Sequence, residues 1–252
     1  MNMSRLLKYE MRKTLFLKLI ILGLTGAAEI VFLLGLALNQ DRVYAVGIII
    51  LMLLSFGSIM AIGLYSLIVL HRDMNTRQSY MLFMTPNSSY KILGAKVLEN
   101  GLSTLIAGAF FFALGALDVT LLFAKEGMLN QLWKTISEVL HTLNSELTLD
   151  ATTLGAFFLM MLISWFEFIT LTYLADVISS ALLNGKKWNG LVTVALIIGL
   201  QSVFSWVINL SEGLVVSWAL ASRFLFLSGL SLILAAAMYV VTARIMETRL
   251  SV

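Results

Sequence analysis

The chain contains no cysteine. Disulfides, thiolate metal sites, iron–sulfur clusters and a cysteine nucleophile are therefore excluded. Histidine occurs only at His71 and His141, and no HExxH spacing exists, which argues against a zinc protease. No GxxxxGK[ST] loop is present. Lys186 follows Gly185, but Lys187 stands where that loop needs a hydroxyl, so the chain is not its own ATP engine. There is no GxSxG elbow. Neither histidine falls in an apolar run, so an intramembrane serine–histidine pair has no base. No catalytic residue, metal ligand or cofactor of its own is expected in this chain. Proline occurs once, at Pro86. Charge is also scarce: 12 % of residues are Asp, Glu, Lys or Arg, against about 25 % in soluble domains. A soluble globule of 252 residues could not cover its surface with so few charges. A disordered chain is excluded for the same reason.

What fills the space is apolar. Hydrophobic residues make up 60 % and mean hydropathy is +0.94. About 20 apolar residues are needed for a helix to cross the hydrocarbon core. Six stretches qualify, at 15–38, 43–70, 101–124, 151–175, 191–210 and 219–243. They lack the alternation of a barrel strand. The expected fold is all-α, a single polytopic transmembrane domain over 1–252. The first run is too long for a cleavable leader. The sixth span lies within an apolar stretch, 214–243, longer than one crossing requires. If the span begins late, 211–222 forms a short re-entrant or interfacial piece and Arg223 sits at the interface. If it begins at Leu214, Arg223 is buried and must find a partner. The first arrangement is preferred, because arginine in lipid costs several kcal/mol.

Basic residues orient the spans. With the N-terminus inside, the inner segments hold Arg5, Lys8, Arg12, Lys13, Lys18, Arg72, Arg77, Lys91, Lys96, Lys186, Lys187, Arg244 and Arg249, which is 13 of 17. Both termini are then cytoplasmic. The net charge of +3 reads as this inner belt and not as a nucleic-acid surface. Residues 3–13 read as an interfacial helix on the inner leaflet: Met3, Leu7, Met11 and Leu15 share one face while Arg5, Lys8 and Arg12 take others. The outer loop 125–150 carries Leu129, Leu132, Trp133, Ile136, Val139, Leu140, Leu143 and Leu147 at three- and four-residue steps. That pattern predicts an amphipathic helix on the outer surface.

The inner loop 71–100 is unlike a plain connector, which would be short and polar. Tyr80, Met81, Leu82, Phe83 and Met84 follow one another outside the bilayer. Pro86 stops a helix arriving from Gln78, and Asn87, Ser88 or Ser89 can cap the next one. Such an apolar knob either packs under the bundle or enters a partner protein.

The run Arg77…Leu82…Thr85-Pro86…Ser88, followed by Ile92-Leu93-Gly94-Ala95-Lys96, resembles the first inner loop of type-two ATP-binding-cassette exporter permeases. The departure is Ser79-Tyr80, where that family commonly carries glycine–threonine. Six spans, inner termini and an interfacial N-terminal helix also resemble it, so the architecture matches along the whole chain and the residues over about 20 positions. The resemblance implies that Tyr80, Met81, Leu82, Phe83, Met84, Thr85, Pro86, Asn87 and Ser88 dock on a separate ATPase subunit, which holds ATP and Mg. It implies a second permease subunit, identical or paired, an amphipathic peptide, drug or lipid as cargo, and a multi-pass location in a bacterial cell membrane.

Polar residues inside spans are functional candidates. Glu29 and Glu167 lie in the first and fourth spans, differing in depth by roughly 9 Å at 1.5 Å per residue. Either they line a substrate path or dimer seam, or each is a neutral acid bonded to a neighbouring helix. Gln201, in mid-span, and Arg223, which could meet Asp118 near the outer ends, are further candidates for the path. Asp176 and Glu99 read as interfacial. The competing functional readings are an ion- or proton-coupled transporter using Glu29 and Glu167, and a scaffold that transports nothing.

Overall fold

A computed structural model describes residues 3–75, 88–146, 150–183 and 188–250. Among the described residues there are seven α-helices and no strand. They are α1 (Met3–Ala37), α2 (Asp41–Asn75), α3 (Ser89–Lys125), α4 (Leu129–Glu146), α5 (Ala151–Leu183), α6 (Asn189–Val215) and α7 (Leu220–Ile245). A π-helical turn, Met246–Leu250, follows α7. All but α4 are long and apolar enough to cross a bilayer. The chain is a polytopic helical membrane protein. Phe16, Phe56 and Phe112 stand exposed on these helices, as side chains facing lipid do.

The helices outrun the spans read from hydropathy. α1 and α2 have 35 residues each, about 52 Å at 1.5 Å per residue, against a hydrocarbon core of about 30 Å. Residues 3–13 are helical and continue into the first span without a break. Residues 89–100, placed in the inner loop by the sequence pattern, are the first three turns of α3. α5 continues to Leu183. The open question at 206–223 resolves into α6 running to Val215, a short turn, and α7 starting at Leu220. No separate re-entrant piece forms, and Arg223 lies in the first turn of α7.

Contacts divide the chain into two compact units. One comprises 1–10, 66–101 and 148–252; the other comprises 11–65 and 102–147. The first is organised around α5, whose residues from Ile169 to Val177 are buried without interruption. α7 turns Ser228, Ser231, Ala235, Thr242 and Ala243 inward. Such small side chains let helix backbones approach closely in lipid. Leu70, Leu93, Ile169, Tyr173, Val177, Ala243 and Met246 form its apolar cluster.

The second unit is built on α1, α2 and α3. Its core is Ala28, Phe32 and Leu51, with Leu36, Tyr44, Ile48, Leu114 and Leu122 packed around it. Glycine sets the α1–α2 approach. A Cβ at Gly47 would stand 2.8 Å from the Phe32 Cα, and one at Gly35 would strike the Tyr44 backbone. α1 and α3 end in the same way. At α1, the Gln40 N–H donates to the Gly35 carbonyl at 3.0 Å and the Asn39 N–H to Leu36 at 3.4 Å, with Asn39 at φ 53°. At α3, the Met128 N–H donates to Phe123 at 2.9 Å and the Gly127 N–H to Ala124 at 3.2 Å, with Gly127 at φ 68°. Both are Schellman motifs, and asparagine and glycine are the residues that tolerate their left-handed position. They satisfy helix-end carbonyls that lipid cannot.

Candidate functional site

The docking residues read from the sequence, Tyr80 to Asn87, lie outside the described residues. Ser88 is described. Its carbonyl accepts the Lys91 and Ile92 N–H groups at 2.9 and 3.3 Å, which places it at the N-cap position of α3.

What the structure does show is how that segment is rooted. Asp73, near the end of α2, and Lys96, in the second turn of α3, flank it. The Lys96 ammonium donates to Asp73 Oδ2 at 2.6 Å and to Glu10 Oε2 at 2.9 Å. All three side chains are nearly inaccessible, at 2–3 % exposure. One cation therefore ties α1, α2 and α3 together. A buried charge left without its partner costs several kcal/mol, so these three residues hold one another in place.

Further polar contacts surround this clamp in the same unit. His71 Nδ1 meets Asp176 Oδ1 at 2.6 Å, joining α2 to α5. The Thr193 hydroxyl on α6 donates to the same oxygen at 3.4 Å. The Ser66 and Tyr173 hydroxyls bond to each other. Trp165 Nε1 donates to Asn100 Oδ1 at 3.2 Å. The Ser179 hydroxyl donates to the Asn189 carbonyl at 2.9 Å and also meets its side-chain oxygen. The Tyr239 hydroxyl donates to the Tyr90 carbonyl at 2.5 Å. The helical period explains the assembly. Lys96 and Asn100 on α3, Tyr173, Asp176 and Ser180 on α5, and Asn189 and Thr193 on α6 recur at three or four residues, so each set shares one face. Sequence reading missed this network because hydropathy windows end at charges. Asp176 read as interfacial, yet it is 1 % exposed. The available signal was the recurrence of partner types at matching offsets from the ends of several helices.

The four candidates for a substrate path fall in different units: Glu167, Gln201 and Arg223 in one, Glu29 in the other. Arg223 is paired with Glu212 at 2.9 Å, across the α6–α7 turn. That answers its need for a partner without Asp118. Glu167 on α5 is buried and its Oε1 accepts no bond. Gln201 on α6 also has an unpartnered side-chain oxygen. Glu29 belongs to the other unit, as does Asp118. Glu29 Oε2 and Asp118 Oδ1 are buried with no hydrogen-bond partner.

α4 carries the amphipathic pattern, and its apolar side is uncovered: Leu129, Trp133, Ile136 and Val139 are all exposed. At the start of α5, Asp150 closes the chain into a helix. Its carboxylate accepts the Thr152 hydroxyl at 2.6 Å, the Thr153 hydroxyl at 2.7 Å and the Thr153 N–H at 2.8 Å. These bonds, the Thr152 hydroxyl first, pull its pKa down to about 2.

No group of three or more His, Asp or Glu side chains among the described residues could hold a metal ion. No family model, curated protein or solved structure matches the chain.

Proposed function

We propose that this chain is the membrane-spanning permease subunit of an ATP-driven exporter in a bacterial cell membrane. A separate ATPase, holding ATP and Mg, docks on the segment Tyr80–Ser88. A second permease subunit completes the path for an amphipathic cargo such as a peptide, drug or lipid. Within this reading α4 lies on the outer membrane surface with its uncovered apolar side in the lipid, as amphipathic helices do.

The observation that supports it is the clamp at the root of the docking segment. A segment on loose linkers would absorb a partner's motion. Here the two roots, Asp73 and Lys96, are ion-paired to each other, and Lys96 also holds α1 through Glu10. Displacement at the segment is thereby passed to three spans at once. Coupling of this kind travels through rigid helices and bonded side chains.

The test is co-purification with the ATPase encoded beside it. Leu82→Asp together with Phe83→Asp is expected to abolish association while the chain stays monodisperse in detergent. Normal ATPase binding by that variant would reject the docking assignment.

A further inference from the structure

The opening turns of α1 carry charge on one side only, a feature the exporter reading does not use. Leu6, Glu10 and Thr14 are buried, and Glu10 is taken up by Lys96 at 2.9 Å. Arg5, Lys8, Tyr9 and Arg12 are exposed. Steps of three and four residues place these four on one face of the helix. Phe16, Leu19 and Ile20 extend the same face into the span and are exposed as well. α1 runs through both stretches without a break, so one strip of surface is basic at its start and apolar beyond it.

No acid answers these bases on that face. Glu10 is the only Asp or Glu before Glu29, and it lies on the buried side. None of Arg5, Lys8 and Arg12 has a hydrogen-bond or ion-pair partner among the described residues. The helix also sets their depth. With Phe16 at the edge of the hydrocarbon and 1.5 Å per residue, Arg12 lies about 6 Å, Lys8 about 12 Å and Arg5 about 16 Å beyond it. A headgroup layer adds about 5–8 Å on each side of the core, and its charge is felt for a further Debye length of about 8 Å. All three bases therefore stand in that layer or within electrostatic reach of its phosphates. Tyr9 beside them is a residue type enriched at this level.

We propose that the face formed by Arg5, Lys8 and Arg12 binds anionic phospholipid headgroups in the leaflet that this end of α1 enters. The two guanidinium groups each offer a fork of N–H donors to a phosphate, and Lys8 adds a point charge. Each base near a negatively charged leaflet strengthens binding roughly fivefold. A soluble acidic partner would need only the charged turns. The continuity of these turns with Phe16, Leu19 and Ile20 selects the membrane itself as the occupant. Lipid on this side and Lys96 on the other then fix the start of α1 from both faces.

Native mass spectrometry of the full chain in detergent tests this, with phosphatidylglycerol and phosphatidylcholine of identical acyl chains as the probes. Phosphatidylglycerol is expected to be retained in preference, and the preference should shrink as salt rises. Arg5→Gln, Lys8→Gln and Arg12→Gln together should lower it by at least roughly tenfold and leave phosphatidylcholine retention unchanged. Arg5→Lys with Arg12→Lys keeps the charge and should keep most of the preference, which separates lost charge from lost fold. Lys134→Gln, at an exposed base of α4, should change nothing. Equal retention of the two lipids by the wild type, or an unaltered preference in the triple Gln variant, overturns the site. If that variant loses a bound protein while its lipid preference stays intact, the face is a protein contact and the proposal fails.

Discussion

The two units of this protein hold their helices together by different means. In the unit containing α5, many buried polar side chains bond across helices, while Glu167, Asp176 and Gln201 each keep one unpartnered oxygen. Lys96 satisfies two carboxylates, and Ser66, Asn100, Asn189 and Thr193 each have a partner on another helix. In the unit containing Gly35 and Gly47, helices meet through glycine and apolar packing. The contrast separates two ways of fixing a helix contact. Hydrogen-bonded side chains select which helices meet, and close approach at glycine sets how tightly they do.

The sharpest way to break the comparison is to strip the cation from the matched network. Lys96→Met takes from Glu10 and Asp73 the cation they share, and about 3–5 kcal/mol of stability should be lost. Thermal unfolding in detergent reads this as a large fall in Tm. Adding Glu10→Gln and Asp73→Asn should recover most of the loss, because the two groups that met Lys96 are then neutral. A triple variant as unstable as the single one would show that the lysine stem, not its charge, carries the effect.

In the other unit the largest response should come from shape. Gly47→Ala and Gly35→Ala push a methyl group into the facing backbone and should cost about 1–3 kcal/mol each. Gly57→Ala, with open space at its Cβ position, serves as the control and should be near neutral. Equal Tm values for all three would remove the close approach of α1 and α2 from the account.

The smallest effect is at the Asp150 cap. Its pKa is lowered, so its contribution is complete above the ordinary carboxylate range and is lost as pH falls through about 2. Asp150→Ala should lower Tm slightly at neutral pH and leave it unchanged in strong acid, where the wild-type carboxyl is already protonated. An equal difference at both pH values would assign the effect to something other than the cap.

Much of the architecture was legible in the residues. Six apolar runs marked six spans. The helices run on past those spans. Lys96, Glu99 and Asp176 read as boundaries, because a window sees a charge and not the partner that neutralises it. Glu29 was measured against Glu167, and Asp118 against Arg223, by depth alone. Counting from the nearer helix ends puts Glu29 and Asp118 at the same level, and both lie in one unit. The knob at Tyr80–Met84 was read from its apolar run alone, and its docking role rests on the resemblance and on the clamp beneath it.

The most direct measurement of the central claim uses the charge-free clamp, Glu10→Gln, Asp73→Asn and Lys96→Met together, reconstituted with its ATPase. The account predicts that the ATPase still binds and still hydrolyses ATP while cargo export falls to background, because the docking segment is no longer tied to the spans. Export at the wild-type rate by that variant would contradict it.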